Sequence, residues 1–251
     1  MRKFKSIILV AVGISLFGCS GAQEDIVPEI NNPELSKDLI RQFDTNQDHK
    51  LADYEVKQIK KLDLGYGFDD YKNFESLKLL TSLEELSGNC TEAIVLDLKD
   101  INSLKEIDFM NVKELKTITI PENVLSLNLE RARVLESIEL PNMPLLAELY
   151  LLESPINKLT IGQCPSLIRL NISETNISEI DLTKFPRLEE LYCNDSEINT
   201  LDVSSLKHLR SLRCKGVKTL VMRKDQRIEE INFEENYIYG RDKDLTIKYI
   251  N

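Results

Sequence analysis

LEELYCNDSEINTLDV, residues 188–203, holds two short alternations of apolar and polar side chains ten residues apart: Leu188-x-x-Leu191-x-Cys193, then Ile198-x-x-Leu201-x-Val203. Alternation over so few positions marks a half-buried strand, because successive side chains point to opposite faces. The same spelling returns in evenly spaced copies along the chain. Leu146, Leu167, Leu188 and Leu209 keep one constant interval, and Leu149, Leu170, Leu191 and Leu212 keep the same one, as do Leu151, Ile172, Cys193 and Cys214. So do Leu135, Ile156, Ile177 and Ile198; Ile138, Leu159, Ile180 and Leu201; and Leu140, Ile161, Leu182 and Val203. Series that agree in one 21-residue register make this chain a repeat before any other feature is considered.

Each unit therefore predicts two short strands. One series begins at Leu86, Ile107, Leu127, Leu149, Leu170, Leu191, Leu212 and Ile231, the other at Leu96, Ile118, Ile138, Leu159, Ile180, Leu201 and Leu220. No unit can bury its apolar side alone, but stacked units share one core. The expected fold is a β-rich repeat solenoid with parallel strand ladders on two faces, a rod about 35 Å long at about 4.8 Å per rung. The final step, from Leu212 to Ile231, is shorter than the rest, and NYIYGRDKDLTIKYIN (236–251) alternates apolar and polar residues as expected of a segment closing the open end.

The half-unit L-x-x-L-x-L-x-x-(S/T)-x-I, as at Leu188, Leu191, Cys193, Ser196 and Ile198, resembles the leucine-rich repeat. The 21-residue unit with its second LDL or LDV doublet is similar to a bacterial short-repeat subtype. The resemblance runs from about Leu62 to Phe233. It departs at the turns, where the family's asparagine is Ser154, Thr175 and Ser196, and the second such position is apolar at Met143, Cys164, Phe185 and Leu206. Hydroxyls are expected to do part of the turn bonding, with side-chain packing at the second turn. The repeat also bears on Cys90, Cys164, Cys193 and Cys214, which as thiols of an exported chain have the number for two disulfides. Cys193 and Cys214 occupy equivalent inward positions in adjacent units, an arrangement suited to stacked core thiols.

The chain opens MRKFKSIILVAVGISLFGC: a basic start, an apolar run from Ile7 to Phe17 too short to span a bilayer, and Cys19. Leu16-Phe17-Gly18-Cys19 resembles a bacterial lipobox, which implies lipidation at Cys19 and membrane attachment. Ser20 resembles the residue that follows the cysteine in outer-membrane lipoproteins, and Glu24-Asp25 a surface-export signal. The expected organisation is a signal peptide at 1–18, a flexible tether at 19–33, a helical cap at 34–61, the solenoid at 62–238 and a C-terminal cap at 239–251.

The cap carries Asp44-Thr45-Asn46-Gln47-Asp48-His49-Lys50-Leu51-Ala52-Asp53-Tyr54-Glu55, with oxygen side chains at positions one, three and five and a glutamate at twelve. This resembles the EF-hand calcium loop, which implies a hard cation held by Asp44, Asn46, Asp48, the Lys50 carbonyl and both oxygens of Glu55. His49 stands where glycine normally serves, and Ala52 offers no oxygen at position nine. The flanks predict an incoming helix through Leu35, Leu39, Ile40 and Phe43 and an outgoing one through Val56, Ile59 and Leu62. The alternative is a metal-free helix-turn-helix; either form covers the first coil.

A net charge of −10 disfavours nucleic acid, which needs a cationic surface. The histidines are His49 and His208 alone, and no nucleophile, HExxH or phosphate-loop motif is present, so an enzyme is not expected. What remains is surface: the outward row Asp108, Asn128, Tyr150, Asn171, Tyr192, Arg213 and Asn232. Tyr150, Asn171, Tyr192 and Arg213 are the candidate ligand contacts, since tyrosine and arginine combine large area with hydrogen bonding. Beside them a basic run from Lys207 to Arg227 either steers an anionic partner or is solvated charge balanced by neighbouring acids. The expected function is a surface lipoprotein binding a protein or glycan; the alternative is an accessory scaffold lipoprotein of an outer-membrane complex.

Overall fold

The computed structural model describes residues 30, 33–65, 75–88, 93–232 and 245–251. Cys19, Cys90, the leader, most of the tether and the first part of the C-terminal cap lie outside them. Helix α1 (Pro33–Phe43) and the one-turn helix α2 (Asp53–Val56) come first. Then come β1 (Lys61–Asp63), β2 (Glu85–Ser87), β3 (Val95–Asp97), β4 (Glu106–Asp108), β5 (Thr117–Thr119), β6 (Ser126–Asn128), β7 (Ser137–Leu140) and β8 (Glu148–Tyr150). The rest are β9 (Lys158–Ile161), β10 (Arg169–Asn171), β11 (Glu190–Tyr192), β12 (Thr200–Asp202), β13 (Ser211–Arg213), β14 (Thr219–Arg223), β15 (Glu230–Asn232) and β16 (Thr246–Ile250).

The first doublet series forms a nine-stranded sheet in the order β1-β2-β4-β6-β8-β10-β11-β13-β15. All its pairings are parallel and in repeat register, with Leu149, Leu170, Leu191 and Leu212 aligned across neighbours. These leucines are fully buried, because each faces the core beside its own copies. At about 4.8 Å per strand, nine rungs make a face about 38 Å long. The chain is thus a solenoid of stacked parallel strands built on the 21-residue coil.

Three expectations need correction. The ladder starts at Leu62, one rung before Leu86: Lys61–Asp63 pairs with Glu85–Ser87. The outgoing helix accordingly ends at Val56 instead of running through Leu62, whose alternation with Leu64 belongs to a strand. On the second side the ladder is broken among the described residues, into β3-β5, β7-β9 and β12-β14-β16. At Ile180 no strand forms. Asp181 instead accepts hydrogen bonds from the Thr183 amide (3.1 Å) and hydroxyl (2.5 Å), which starts a 3-10 turn at Leu182–Lys184.

The turns show how the coils are joined. Ser154 donates to Leu129 O (2.9 Å) and accepts from the Ala132 amide, while Thr175 and Ser196 donate to Ile172 O and Cys193 O. Met143, Cys164, Phe185 and Leu206 fill the second turn and are buried. Cys164, Cys193 and Cys214 are free buried thiols, and burial pushes Cys164 up to about 11 and Cys214 up to about 12. At the C-terminal end β16 adds a rung beside β14, placing Ile247 and Tyr249 opposite the core residues Leu220 and Met222; both remain exposed.

Leu35, Leu39, Leu51, Val56 and Ile59 are buried in the same cluster as Leu62 and Leu64, so the segment before β1 is packed on the solenoid core. No helix among the described residues is long and apolar enough to cross a membrane.

Candidate functional site

Parallel pairing places Tyr150, Asn171, Tyr192 and Arg213 side by side on β8, β10, β11 and β13. Outward-facing residues of a strand flank the inward leucine, so each of these follows a buried ladder position by one residue. Tyr150, Asn171 and Tyr192 are half-buried and Arg213 is exposed. The Arg213 guanidinium lies over the Tyr192 ring, 5.1 Å from its centroid, in cation–π geometry. Asn171 Oδ1 accepts from the Ser173 amide at 3.1 Å, so part of this amide braces its own strand exit.

A second column lies one residue before the leucines, and its charges are legible only across coils. Arg169 donates to Glu148 at 2.7 Å and pairs with Glu190 at 3.1 Å, spanning three adjacent strands. Glu190 also accepts from Tyr192 OH at 2.8 Å. The hydrogen bond and charge of Glu190 hold the Arg169 guanidinium well above its ordinary range. Burial, followed by the charge of Glu148, raises the Tyr150 phenol, and burial with the Glu190 hydrogen bond raises that of Tyr192. The face is therefore a preformed network that needs little ordering on contact. The repeat clock, applied to the charged residues as well as the apolar ones, would have found this column.

Towards β1 the face turns acidic. Asp63, Ser87 and Asp108 line a cavity of about 470 Å³ with Asn111 and Arg131, and Arg131 is held in two hydrogen bonds of 2.8 Å by Glu153. Burial and then the charge of Asp63 raise the Asp108 carboxyl. Part of the basic run is paired: Arg210 with Glu189, Lys215 with Asp195 at 2.9 Å, and Arg223 with Asp225 at 3.2 Å.

In the loop after α1, the amides of Gln47 and His49 donate to the Asp44 carboxylate (2.6 and 2.9 Å). The Asp48 amide donates to Asn46 Oδ1, and that of Lys50 to Asp48 Oδ1, both at 2.9 Å. His49 adopts φ 64, the left-handed conformation expected of glycine at this position. Glu55 is buried; its Oε1 accepts from the Thr45 amide and hydroxyl (2.7 Å each) and Oε2 from the Ala52 amide (2.9 Å). Among the described residues no group of three or more His, Cys, Asp or Glu gathers as a metal centre. Asp44, Asn46, Asp48 and Glu55 each present a side-chain oxygen in this turn, and each already accepts a backbone amide.

No protein-family description matches the sequence, and no curated protein matches it. Among solved structures the chain is similar to InlP of Listeria monocytogenes, with TM-score 0.59 at 18% identity, over 76% of this chain and 60% of that one. A Leptospira interrogans LRR protein gives TM-score 0.48 at 16% identity, covering 67% and 52%. The functional domain of Listeria monocytogenes InlJ, described as including a cysteine ladder, gives 0.37 at 16%, covering 73% and 55%. The chain spans about 60% of the length of InlP. The fold is a β-solenoid of stacked parallel strands, similar to that of InlP.

Proposed function

We propose that the chain is a non-enzymatic binding module that recognises a protein or glycan through the outward face of its nine-stranded sheet. The observation that carries this reading is the in-register row Tyr150–Asn171–Tyr192–Arg213, braced by Glu148, Arg169 and Glu190. Aromatic and arginine side chains on a rigid platform are the residue types that dominate binding energy. The resemblance of the repeat to the leucine-rich repeat, whose members commonly bind proteins or glycans, supports binding as the activity. Lipidation at Cys19 anchors the module to a bacterial outer membrane, with the face turned outward.

Asp44, Asn46, Asp48, the Lys50 carbonyl and Glu55 would hold calcium in the loop between α1 and α2, as an EF-hand-like cap before β1. When bound it supplies positive charge that neutralises the loop carboxylates and adds stability to the cap. At a calcium concentration a hundredfold above Kd the gain is about 2.7 kcal/mol.

The test is affinity capture from host and bacterial surface extracts, with and without calcium, using wild-type protein and a Tyr192→Ala/Arg213→Ala variant. The wild type retains a ligand that the variant loses, and equal retention by both refutes the face. Calcium raises the melting temperature of the wild type but not of Asp44→Ala/Glu55→Ala. Labelled palmitate enters the chain in cells and fails to enter Cys19→Ala.

A further inference from the structure

Three cations stand on the binding face, and their surroundings differ: Lys61, at its β1 edge, pairs with Glu85 at 2.5 Å. Arg169 is held between Glu148 at 2.7 Å and Glu190 at 3.1 Å, which satisfies its fork inside the sheet network. Arg213 rests on Tyr192, and its carboxylate contact, Glu230, is 3.7 Å away. That separation is too long for a hydrogen bond, and the Arg213 side chain is 47% exposed. Arg169 is therefore a brace, and Arg213 is the cation offered to a partner.

The border of the same sheet supplies a second chemical mark. The residues two before the ladder leucines stack through backbone bonds from Ala147 N to Leu125 O and from Ile168 N to Ala147 O, each 2.8 Å. The column reads Lys60, Glu84, Lys105, then Leu125, Ala147, Ile168, then Glu189 and Arg210. Its charged ends are internally paired, Glu84 with Lys60 and Lys105, and Glu189 with Arg210. The three apolar residues between them have no ion pair to cover them, and Leu125 is 39% exposed.

Resting on the binding role above, we propose that the partner is a protein segment bearing an acidic side chain for Arg213 and an aliphatic side chain for the Leu125–Ala147–Ile168 strip. Two strand spacings and about three residues of extended chain separate Ile168 from Arg213, about 14 Å. That distance is spanned by about four residues of extended peptide. An acid alone suits a uronic or sialic sugar as well as a peptide; the aliphatic strip is what selects the peptide.

A phage-displayed random peptide library, selected on the purified full chain, tests this. The enriched peptides carry Asp or Glu about four residues from Leu, Ile or Val. Arg213→Glu weakens them by at least about tenfold, and replacing the peptide acid with Lys restores binding to that variant. Ile168→Ser and Leu125→Ser weaken them too, with unchanged melting temperature showing that the fold is intact. The proposal is overturned if the enriched peptides lack an acid, or bind Arg213→Glu as tightly as wild type while Tyr192→Ala abolishes binding; the face then stands and the partner chemistry is wrong. It is equally overturned if only glycans on an array bind through Tyr150 and Tyr192. Binding indifferent to both tyrosines refutes the face itself.

Discussion

Gly162→Ala tests how closely the coils approach at the second turn. Ile161 closes β9 opposite Leu140, and the next amide, Gly162 N–H, donates to Leu140 O at 3.0 Å. A methyl group added there meets Pro141 O at 1.9 Å and Pro141 C at 2.8 Å, so backbone must move by more than about 1 Å to reach tolerable contact. The φ of Gly162 is not in the left-handed region, so the cost is steric alone. Overpacking of this kind costs up to about 3 kcal/mol, and more where only backbone can yield. For a chain of this size each kcal/mol lowers the melting temperature by about 2–4 °C, giving an expected fall of about 6–12 °C. Gly216→Ala is the matched control: its φ of 89 strains an alanine, but the nearest atom is 3.8 Å away. That change costs about 1 kcal/mol and shifts melting by about 2–4 °C. Thermal melts followed by circular dichroism decide the matter. If Gly162→Ala melts no lower than Gly216→Ala, the coils do not approach as described and the stacking at Pro141 is wrong.

Ser154→Ala removes a buried hydroxyl that bonds both Leu129 O and the Ala132 amide, and should cost about 1–3 kcal/mol; a smaller loss in chemical denaturation than for the half-buried Ser196→Ala would contradict that role. Burial alone pushes Glu55 up, but hydrogen bonds from Ala52 and Thr45 outweigh it and hold the carboxyl below its ordinary 4.5. Its stabilisation is therefore complete above 4.5 and lost as pH falls through the lower folded value, so the melting advantage of wild type over Glu55→Gln should shrink in acid. An advantage constant from neutral pH into strong acid would refute the capping account. Asp108 is shifted the other way, by burial and then by Asp63, so its charged form costs stability above the raised value. Asp108→Asn should melt higher at neutral pH, with the gain gone below pH 3.8; a lower melting point at neutral pH would show that the carboxylate is a useful partner there.

The leucine ladders were legible because burial is what fixes the repeat spacing. Elements set by particular hydrogen bonds were not. The step from Leu62 to Leu86 is longer than the clock allows, yet β1 pairs in register with β2. Residues Asn111, Arg131, Glu153, Glu174 and Asp195 take positive φ at one equivalent position per coil, where Gly216 alone advertises the need. Each of the five donates its amide to a carbonyl of the following coil, as Glu153 does to Ser173 O and Asp195 to Lys215 O. Those bonds offset a conformational preference that local sequence would have opposed. The candidate face was half legible: its tyrosine row is a ladder position, but the brace at Arg169 depends on charges in two neighbouring coils.

Charge in a solenoid has to be read on the same clock as apolarity. The window from Lys207 to Arg227 is basic along the chain, but the neighbours that set its potential lie one coil away. Arg210 meets Glu189 and Lys215 meets Asp195, in each case an acid of the preceding coil. Lys105 meets Glu84 of the coil before it, Arg131 meets Glu153 of the coil after it, and Arg169 meets Glu148 and Glu190 on either side. Such exposed pairs stabilise little individually, about 0–1 kcal/mol each, but they decide which charges are left to act at a distance. Arg213 is the loosest of these contacts: β13 pairs with β15 in register, Arg213 opposite Asn232, and Glu230 stands 3.7 Å from the guanidinium. Stacked on Tyr192 and only distantly met by Glu230, Arg213 is the cation of the tyrosine row that neighbouring coils neutralise least.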